Sequence, residues 1–513
     1  MGTINKRVMA FVVLLSLGLF LAFGTRFGLV TPLPGLKPEG MMAAGSMVIM
    51  ATLWLFEVIP LAATSLLPLA LFPMLGIAGV KDVAATYGNS IIMLMMGGFF
   101  LAKGLERWNV PLVFASIVEK WAAGSAVKLY YGLLLITCFF SMWLSNTATT
   151  LIMVTVATAA IASAQKSEQN RPEHVTRFGL ALLLGIAYAA NVGGLATPVG
   201  TAPNAIMIGL YDDLVDDNPL TFLNWMILAF PLVIILMVVI SVMLQKVLYP
   251  FPNNLDLGGA SETHEEGERS RLTSGGYRAI TIFLLTAFLW VFRRDIDLGF
   301  LQVPGWSSAL GMGKLVNDAS VAMFGAICMF AMPSGEGKER VLEWKNAREI
   351  PWFLLLLFGG GLALASVFTS SGLSEWLAQQ LIGLRGAQLW LLILVLAAGM
   401  SFLTEVTSNT ATTTLLLPLL GAVAVSLELP YLYLMWPATM CASAAFILPI
   451  STPPNAIVAG VGNISMSQMA RAGFWLNIIA VCLVTLFALL WLPTHVEMES
   501  GAPKEVTTKE VGT

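Results

Sequence analysis

Two short polar motifs, each occurring twice in the 513-residue chain, hold the residues whose types and spacing could do chemistry. The run SNTATT fills positions 145–150 and again 408–413, an offset of 263 (408 − 145). TAPNAI at 201–206 matches TPPNAI at 452–457, an offset of 251 (452 − 201). Self-similarity at a nearly fixed distance is the signature of an internal repeat, so we expect two halves built on one plan.

The similarity between the halves extends beyond the motifs. Gly97 and Gly98 fall on Gly360 and Gly361 at the same offset of 263. Between its two motifs the second half is twelve residues shorter (263 − 251), and a polar linker near 165–177 of the first half accounts for these residues.

SNTATT places hydroxyls, an amide and freed backbone groups inside an apolar segment, where lipid could satisfy none of them. At the tip of a re-entrant hairpin, the helix after the turn would present unpaired N–H groups and the positive end of its dipole. Such a tip suits an anion. Small residues in a span can instead serve close helix packing, but the duplication of both motifs favours a binding site.

The second motif marks broken helices, because proline removes a backbone donor and glycine permits unusual dihedral angles. Carbonyl groups exposed at such a break can coordinate sodium, which prefers hard oxygen ligands. No lysine, arginine or histidine lies within either motif, so a bound anion would depend on neutral donors, dipoles and co-bound cations. This pattern indicates sodium coupling. The helix-breaking residues are Thr197, Pro198, Gly200, Pro203, Pro453 and Pro454.

Glu405 lies three positions before Ser408. An ionisable group near a membrane hairpin tip is a functional candidate. A structural carboxylate that caps backbone N–H groups is an equal alternative, and both stay open. Glu57 is expected to be structural. The three histidines fall in polar loops or the tail, where solvated side chains are expected: His174, His264 and His495.

Composition restricts the fold to a membrane protein. The chain is 57% hydrophobic and 11% charged with a mean hydropathy of +0.81, whereas soluble domains carry about 25% charged residues. At about 20 residues per span, the apolar runs allow roughly ten to twelve helices, so we predict an all-α polytopic membrane protein. The net charge of −3 is too small to argue for nucleic acid or any other charged partner, and no nucleic-acid partner is expected. The cysteines lack CxxC spacing and are expected to be small buried hydrophobes: Cys138, Cys328, Cys441 and Cys482.

Polar segments divide the chain into five parts. Mixed charge among apolar residues at 335–349 also predicts an interfacial helix. The predicted parts are an N-terminal helix (1–38), a first repeat with its SNT hairpin (39–250), a polar cytoplasmic loop (251–278), a second repeat with its SNT hairpin (279–493) and a polar C-terminal tail (494–513).

The positions of lysine and arginine predict the orientation of the spans. With a cytoplasmic N-terminus, about two thirds of the 27 basic residues lie inside, while Arg385 and the acidic loop around 212–217 lie outside. The first SNT hairpin then starts inside and the second outside, which gives the inverted-topology repeats typical of secondary transporters. The predicted helices lie near 8–24, 40–58, 62–79, 89–104, 178–211, 222–248, 279–292, 316–332 and 350–370.

The paired SNT motifs, the paired TAPN and TPPN breaks, and the segments WLFEVIP (54–60) and IPWFLLLLFGGG (350–361) closely resemble the divalent anion/sodium symporter family, which includes Indy-type dicarboxylate carriers. The resemblance covers essentially the whole membrane region. It implies a homodimer with about eleven transmembrane helices and two re-entrant helical hairpins, divided into scaffold and transport parts that work by an elevator movement.

The same resemblance implies which residues form the sites. One sodium site is expected to contain Ser141, Ser145, Asn146 and Gly200, and the second Thr404, Thr407, Asn409 and Ser451. Substrate carboxylates are expected to meet Ser145, Asn146, Thr147, Thr201, Ser408, Asn409, Thr410, Thr452 and Pro453. Ala202 departs from the family, whose members commonly have proline there, and this predicts a looser first break.

These observations predict a sodium-driven importer of divalent anions, foremost four-carbon dicarboxylates such as succinate, malate and fumarate, in a bacterial inner membrane. No catalytic residue or organic cofactor is predicted. A sodium-independent dicarboxylate exchanger, or a citrate or sulfate carrier of the same fold, stays open. A cation/proton antiporter would need buried acidic pairs, and a membrane-embedded enzyme would need motifs such as HExxH or GxSxG; the sequence contains neither.

Overall fold

The computed structural model describes residues 6–168, 171–215, 219–257, 271–297, 302–313, 315–380, 383 and 386–496. This part of the chain is a bundle of α-helices with one short antiparallel pair, β1 (Ile296–Asp297) and β2 (Gln302–Val303). Ten of the described helical segments are long and apolar enough to cross a membrane. The chain is therefore an all-α polytopic membrane protein, as predicted.

Several predictions concern residues outside the described ranges and stay predictions. They involve the acidic residues Asp216 and Asp217, the loop positions 258–270 with His264, Arg385, and the tail from 497 onward.

The first helices pack as a separate apolar cluster around α1 (Lys6–Arg26) and α2 (Pro38–Phe56). The single helix predicted over 62–79 is wrong, since the chain there forms two short helices. Pro68 lies in the first turn of the second helix and has no N–H to donate to the Thr64 carbonyl, and Gly76 ends this helix with a left-handed φ of 75°. These short helices are α3 (Leu61–Thr64) and α4 (Leu67–Leu75), and α5 (Val80–Thr86) follows.

The rest of the first half contains a helical hairpin followed by an interrupted helix. A 3-10 turn (Gly194–Ala196) lies within the interruption, and a π-helical turn (Met243–Leu248) ends the last helix. The elements are α6 (Ser90–Arg107), α7 (Val110–Ala122), the hairpin α8 (Ala126–Ser141) and α9 (Asn146–Ser167), the interrupted pair α10 (Pro172–Gly193) and α11 (Ala202–Leu214), and α12 (Phe222–Val242).

The second half repeats the order of hairpin, interrupted helix and long helix. Its elements are α13 (Ser274–Val291), α14 (Trp306–Ala309), α15 (Asp318–Ala331), α16 (Trp344–Ala347), α17 (Trp352–Ser370), α18 (Leu373–Gln380), the hairpin α19 (Leu389–Thr404) and α20 (Asn409–Ser426), the interrupted pair α21 (Leu432–Ser443) and α22 (Pro453–Val461), α23 (Met466–Leu490) and α24 (Pro493–Val496).

The interfacial helix predicted at 335–349 is wrong over most of its length, because only the four residues of α16 are helical. Gly335 and Gly337 have left-handed φ values of 85° and 66°, which end any helix. The segment instead packs against the end of α6 through an ion pair and a hydrogen bond. Arg107 pairs with Glu339 at 2.6 Å, and Trp108 Nε1 donates to the Val341 carbonyl at 2.8 Å.

The prediction that all four cysteines are buried is wrong at Cys482, which is exposed on α23. Cys138 and Cys441 are buried and Cys328 is half-buried. The outer face of a spanning helix meets lipid, which accepts a small apolar thiol as readily as a protein core does.

A buried ion pair joins three elements near the start of α12. Asp318, the first residue of α15, pairs with Arg293 just beyond α13, and their side chains are 11% and 5% exposed. The second carboxylate oxygen accepts the Phe222 N–H at the beginning of α12 at 2.8 Å. The Phe222 ring stacks on Trp290 with 4.5 Å between the centroids. One carboxylate thus fixes the ends of three helices.

We expect Asp318→Ala to lower the free energy of unfolding by about 3–5 kcal/mol, because it leaves the Arg293 guanidinium buried without its partner. Thermal unfolding of the purified protein in detergent, followed by tryptophan fluorescence, measures the loss. Glu349→Gln is the matched control, since its side chain is 57% exposed and its partner Lys103 keeps Glu106, so the unfolding midpoint should stay unchanged. Equal midpoints for the two variants would contradict the structural role of Asp318.

Candidate functional site

The two SNT motifs form the turns of the two helical hairpins, and both turns are capped in the same way. Ser145 is extended and its hydroxyl oxygen accepts the Ala148 N–H at 3.2 Å, so it caps α9. Ser408 caps α20 through the Ala411 N–H at 3.4 Å. The N–H groups of the next two residues in each helix have no intrahelical acceptor and carry the positive end of the helix dipole. Each tip is therefore suited to an anionic group.

The first interrupted helix is held open by Asn204, which is fully buried. Its amide nitrogen donates to the carbonyl oxygens of Gly194 at 3.0 Å, Leu195 at 3.2 Å and Thr197 at 2.8 Å. These carbonyls lost their helical partners where the helix stops, and in a membrane each would otherwise be unsatisfied.

Asn455 does the same in the second half. Its amide nitrogen donates to the carbonyls of Ala445 at 3.1 Å and Leu448 at 3.2 Å, and to the Ser451 hydroxyl at 3.0 Å. Ala445, Leu448 and Asn455 lie 251 residues after Gly194, Thr197 and Asn204, so the two breaks share one hydrogen-bond plan.

Neither asparagine was among the predicted site residues. The signal was present nonetheless, because the asparagine is part of the repeated motif in TAPNAI and TPPNAI.

Three of the four residues predicted for the first sodium site lie together. The Ser141 hydroxyl lies 2.7 Å from Asn146 Oδ1 and donates to the Ala190 carbonyl at 2.8 Å. A methyl group at Gly194 would lie 2.7 Å from Asn146 Oδ1, and one at Gly200 would lie 2.5 Å from the Gly194 carbonyl oxygen. Glycine at position 194 lets the amide oxygen of Asn146 approach the break, and glycine at position 200 lets the backbone on the two sides of the break come close together. The fourth residue, Ser145, is exposed and caps its helix.

The residues predicted for the second sodium site are less closely connected. Thr404 donates to the Met400 carbonyl of its own helix at 2.9 Å, and the Thr407 hydroxyl lies 2.7 Å from that of Thr412. Ser451 donates to the Leu448 carbonyl at 2.7 Å, and no hydrogen bond in the described ranges joins it to Asn409.

Asn409 Oδ1 is the atom of this second site that lacks a partner. It is buried and has no hydrogen-bond donor among the described residues, whereas the equivalent oxygen of Asn146 lies beside Ser141. A buried acceptor without a donor is rare in a folded protein and is a position that a water molecule or a cation can fill. A cation fits the hard oxygen donors found there, so the residues present are compatible with sodium.

Glu405 acts as a cap, the second of the two interpretations that the sequence left open. Its carboxylate oxygens accept the N–H groups of Ile447 at 3.0 Å and Leu448 at 2.9 Å, within the second break. Asn477 donates to the same carboxylate at 2.7 Å and accepts the Phe446 N–H at 3.1 Å. Asn477 was missed by sequence reasoning, and its signal was a lone amide in the apolar run of α23.

The predicted substrate contacts lie on elements that meet across the two halves. Thr201 and Thr452 begin α11 and α22, and the Thr452 hydroxyl accepts the Asn455 N–H at 3.3 Å. α9 packs against α22, and α20 packs against α11, so each SNT helix contacts the broken helix of the other half. Pro453 is exposed at the start of α22. Paired helix tips and broken helices inside a bundle of apolar spans define a membrane transporter.

The family follows from comparison with known proteins. The family model described as the sodium:sulfate symporter transmembrane region matches residues 12–496, and the chain belongs to this family, which confirms the resemblance noted in the sequence. Family members are transporters rather than enzymes. Two similar relatives are named sodium-dependent dicarboxylate transporter SdcS. The protein of Staphylococcus saprophyticus is 36% identical over 473 residues, 91% of this chain and 89% of the relative. That of Staphylococcus aureus is 37% identical over 471 residues, 91% and 88% of the two chains.

Two solved structures share the fold at low sequence identity. The YdaH transporter of Alcanivorax borkumensis superposes with a TM-score of 0.58 at 14% identity, covering 89% of this chain and 98% of the other. MtrF of Neisseria gonorrhoeae superposes with a TM-score of 0.54 at 12% identity, covering 95% and 96%. At these identities the likeness concerns the fold alone.

We expect Gly194→Ala to lower the stability of the protein by about 1–3 kcal/mol, because the new methyl group would displace the Asn146 amide or the break itself. The measurement is the thermal unfolding midpoint in detergent. Gly399→Ala, in the middle of α19 with open space around its Cα, is the control and should be neutral or stabilising by up to about 1 kcal/mol. A stable Gly194→Ala variant would show that the close approach is not required.

Proposed function

We propose that this chain is a sodium-coupled importer of divalent anions, and that its main substrates are four-carbon dicarboxylates such as succinate, malate and fumarate. The observation that supports this proposal best is the pair of capped SNT tips, each beside a broken helix whose oxygens suit sodium. The names of the two staphylococcal relatives support the choice of dicarboxylates.

Sodium is assigned to the two sets of oxygen ligands predicted from the family. The first consists of Ser141, Ser145, Asn146 and Gly200, and the second of Thr404, Thr407, Asn409 and Ser451. Sodium binds before the anion in this proposal. It orders the tips and offsets the charge that neutral motifs cannot balance.

Each helix tip takes one carboxylate of the substrate. Ser145, Asn146, Thr147 and Thr201 would serve one end of the dicarboxylate. Ser408, Asn409, Thr410, Thr452 and Pro453 would serve the other. Two positive helix ends can each hold one carboxylate, which favours an anion with one charge at each end of a short chain.

The wider organisation proposed here follows the family resemblance and the charge distribution. The two halves, 39–250 and 279–493, are inverted repeats, each hairpin is re-entrant, and the N-terminus is cytoplasmic. The protein is a homodimer in a bacterial plasma membrane and works by an elevator movement of its transport part. The repeated order of hairpin, broken helix and long helix supports the repeat.

A sulfate carrier is the second candidate, because the description of the matching family model names sodium and sulfate. The names of the two staphylococcal relatives favour a dicarboxylate over sulfate. A citrate carrier and a sodium-independent dicarboxylate exchanger of the same fold are the remaining alternatives.

Labelled succinate should enter proteoliposomes containing the purified protein under an inward sodium gradient and stay at background when potassium replaces sodium. Succinate uptake that is independent of sodium but requires dicarboxylate inside the proteoliposomes would identify an exchanger and contradict the proposal. If succinate does not enter in either condition but sulfate or citrate enters under a sodium gradient, the protein is a sulfate or citrate carrier.

Asn146→Ala and Asn409→Ala should each reduce sodium-dependent succinate uptake to background while expression stays normal, since each removes an amide oxygen from a proposed cation site. Thr158→Ala is the matched control, because Thr158 lies further along α9 and its hydroxyl bonds only to backbone of the same helix. Normal transport by either asparagine variant would refute the site assignment.

A further inference from the structure

Two buried side chains of α10 reach from the first half of the protein into the second break: Tyr188, whose hydroxyl donates to the Phe446 carbonyl at 2.9 Å, and Asn191. Asn191 is 1% exposed, and its amide nitrogen donates to Thr452 Oγ1 at 3.1 Å and to Asn455 Oδ1 at 3.2 Å. The available donors and acceptors determine which way the two amide groups are oriented. Asn455 uses its N–H groups on the acceptors of the second break, so its oxygen needs a donor, and Asn191 supplies one.

Asn191 has no counterpart in the other half. The offset of 251 places Ala442 at the equivalent position of α21. The residue equivalent to Asn455 is Asn204, and its amide oxygen is buried without a donor among the described residues. The two breaks share their internal hydrogen bonds, but only the second is tied to a helix of the other half through an asparagine.

The neighbouring residue of α10 contacts the first candidate sodium site. The Ala190 carbonyl accepts the Ser141 hydroxyl at 2.8 Å, and that hydroxyl lies 2.7 Å from Asn146 Oδ1. On the other side, Asn455 donates to Ser451 of the second candidate site at 3.0 Å. Two adjacent residues of one helix therefore connect both sites through hydrogen bonds.

We propose that Asn191 is a positioning residue that couples the two sodium sites. Sodium at the first site holds Ser141 and Asn146 against α10, which holds Asn191 in place to orient Thr452 and Asn455 at the second. By linkage, sodium at either site then raises the affinity of the other by the same factor. This inference rests on the proposed function and adds the residue through which cooperativity acts.

The test is the sodium dependence of succinate uptake in proteoliposomes, measured for the full-length protein and for Asn191→Leu, which has a similar volume but no donor. We expect the variant to need about five- to tenfold more sodium for half-maximal uptake, as the loss of about one hydrogen bond implies. Its Hill coefficient for sodium should fall toward that of independent sites, while uptake at saturating sodium stays within about twofold of the parent.

Thr439→Val is the matched control. Thr439 is fully buried in α21, but its hydroxyl bonds only to the Met435 carbonyl of its own helix at 2.8 Å. If loss of a buried hydrogen bond acted only through packing, both Thr439→Val and Asn191→Leu would lower uptake at saturating sodium, and neither would change the Hill coefficient. We expect the control to keep the Hill coefficient and the half-saturating sodium concentration of the parent.

If the leucine variant is not recovered as monodisperse protein, Asn191→Ser replaces it, because the shorter side chain cannot reach both acceptors. Sodium-dependent thermal stabilisation in detergent then provides a second measure of cooperativity that does not require transport. An unchanged Hill coefficient in both assays would overturn the coupling role of Asn191 while leaving the proposed function intact. Sodium-independent uptake by the parent protein would instead overturn the proposed function.

Discussion

The constraint on which this structure depends is that lipid offers no partner to a backbone carbonyl or N–H group. Each half of the chain nevertheless stops a helix inside the bundle and resumes it several residues later, between Gly193 and Ala202 and between Ser443 and Pro453. Every carbonyl freed at these breaks needs a donor from elsewhere in the protein. Asn204 and Asn455 provide it, and this makes the breaks stable enough to serve as binding elements. The helices that lead into and out of each break owe their positions to this requirement.

The two breaks solve this problem to different extents. The second is held by Glu405 and Asn477 on its N–H groups, and by Asn191 from the other half. At the first break, position 142 holds methionine where the second hairpin has Glu405, and Asn204 keeps a buried oxygen without a donor among the described residues. The two breaks therefore share one internal hydrogen-bond plan, to which the second break adds a carboxylate and two further asparagines.

Much of this arrangement could be predicted from sequence because it is duplicated. The offsets of 263 and 251 identify both hairpin turns and both breaks, and the structure places Ser145, Ser408, Thr201 and Thr452 at the beginnings of four helices. Residues without a counterpart, such as Asn191 and Asn477, carry no such signal, since one amide in an apolar helix does not reveal its partner.

The segment 335–349 was predicted as helix from its mixed composition, but two glycines with left-handed backbone and the contacts of Arg107 and Trp108 determine its course. Local pattern does not contain such tertiary contacts.

A binding site assembled from hydroxyls, amides and helix ends has a thermodynamic consequence. Removing a divalent anion from water costs several kcal/mol per charge, and partial charges at two helix ends recover only part of that cost. Neither motif contains a lysine or arginine that could supply a permanent countercharge. In the proposed function the remaining countercharge arrives with each transport cycle, as sodium bound to the oxygen ligands of the breaks. A fixed arginine would bind the anion in the absence of sodium and permit uncoupled movement. The neutrality of the motifs therefore favours coupled transport in this proposal, because each bound ion raises the affinity of the site for the other.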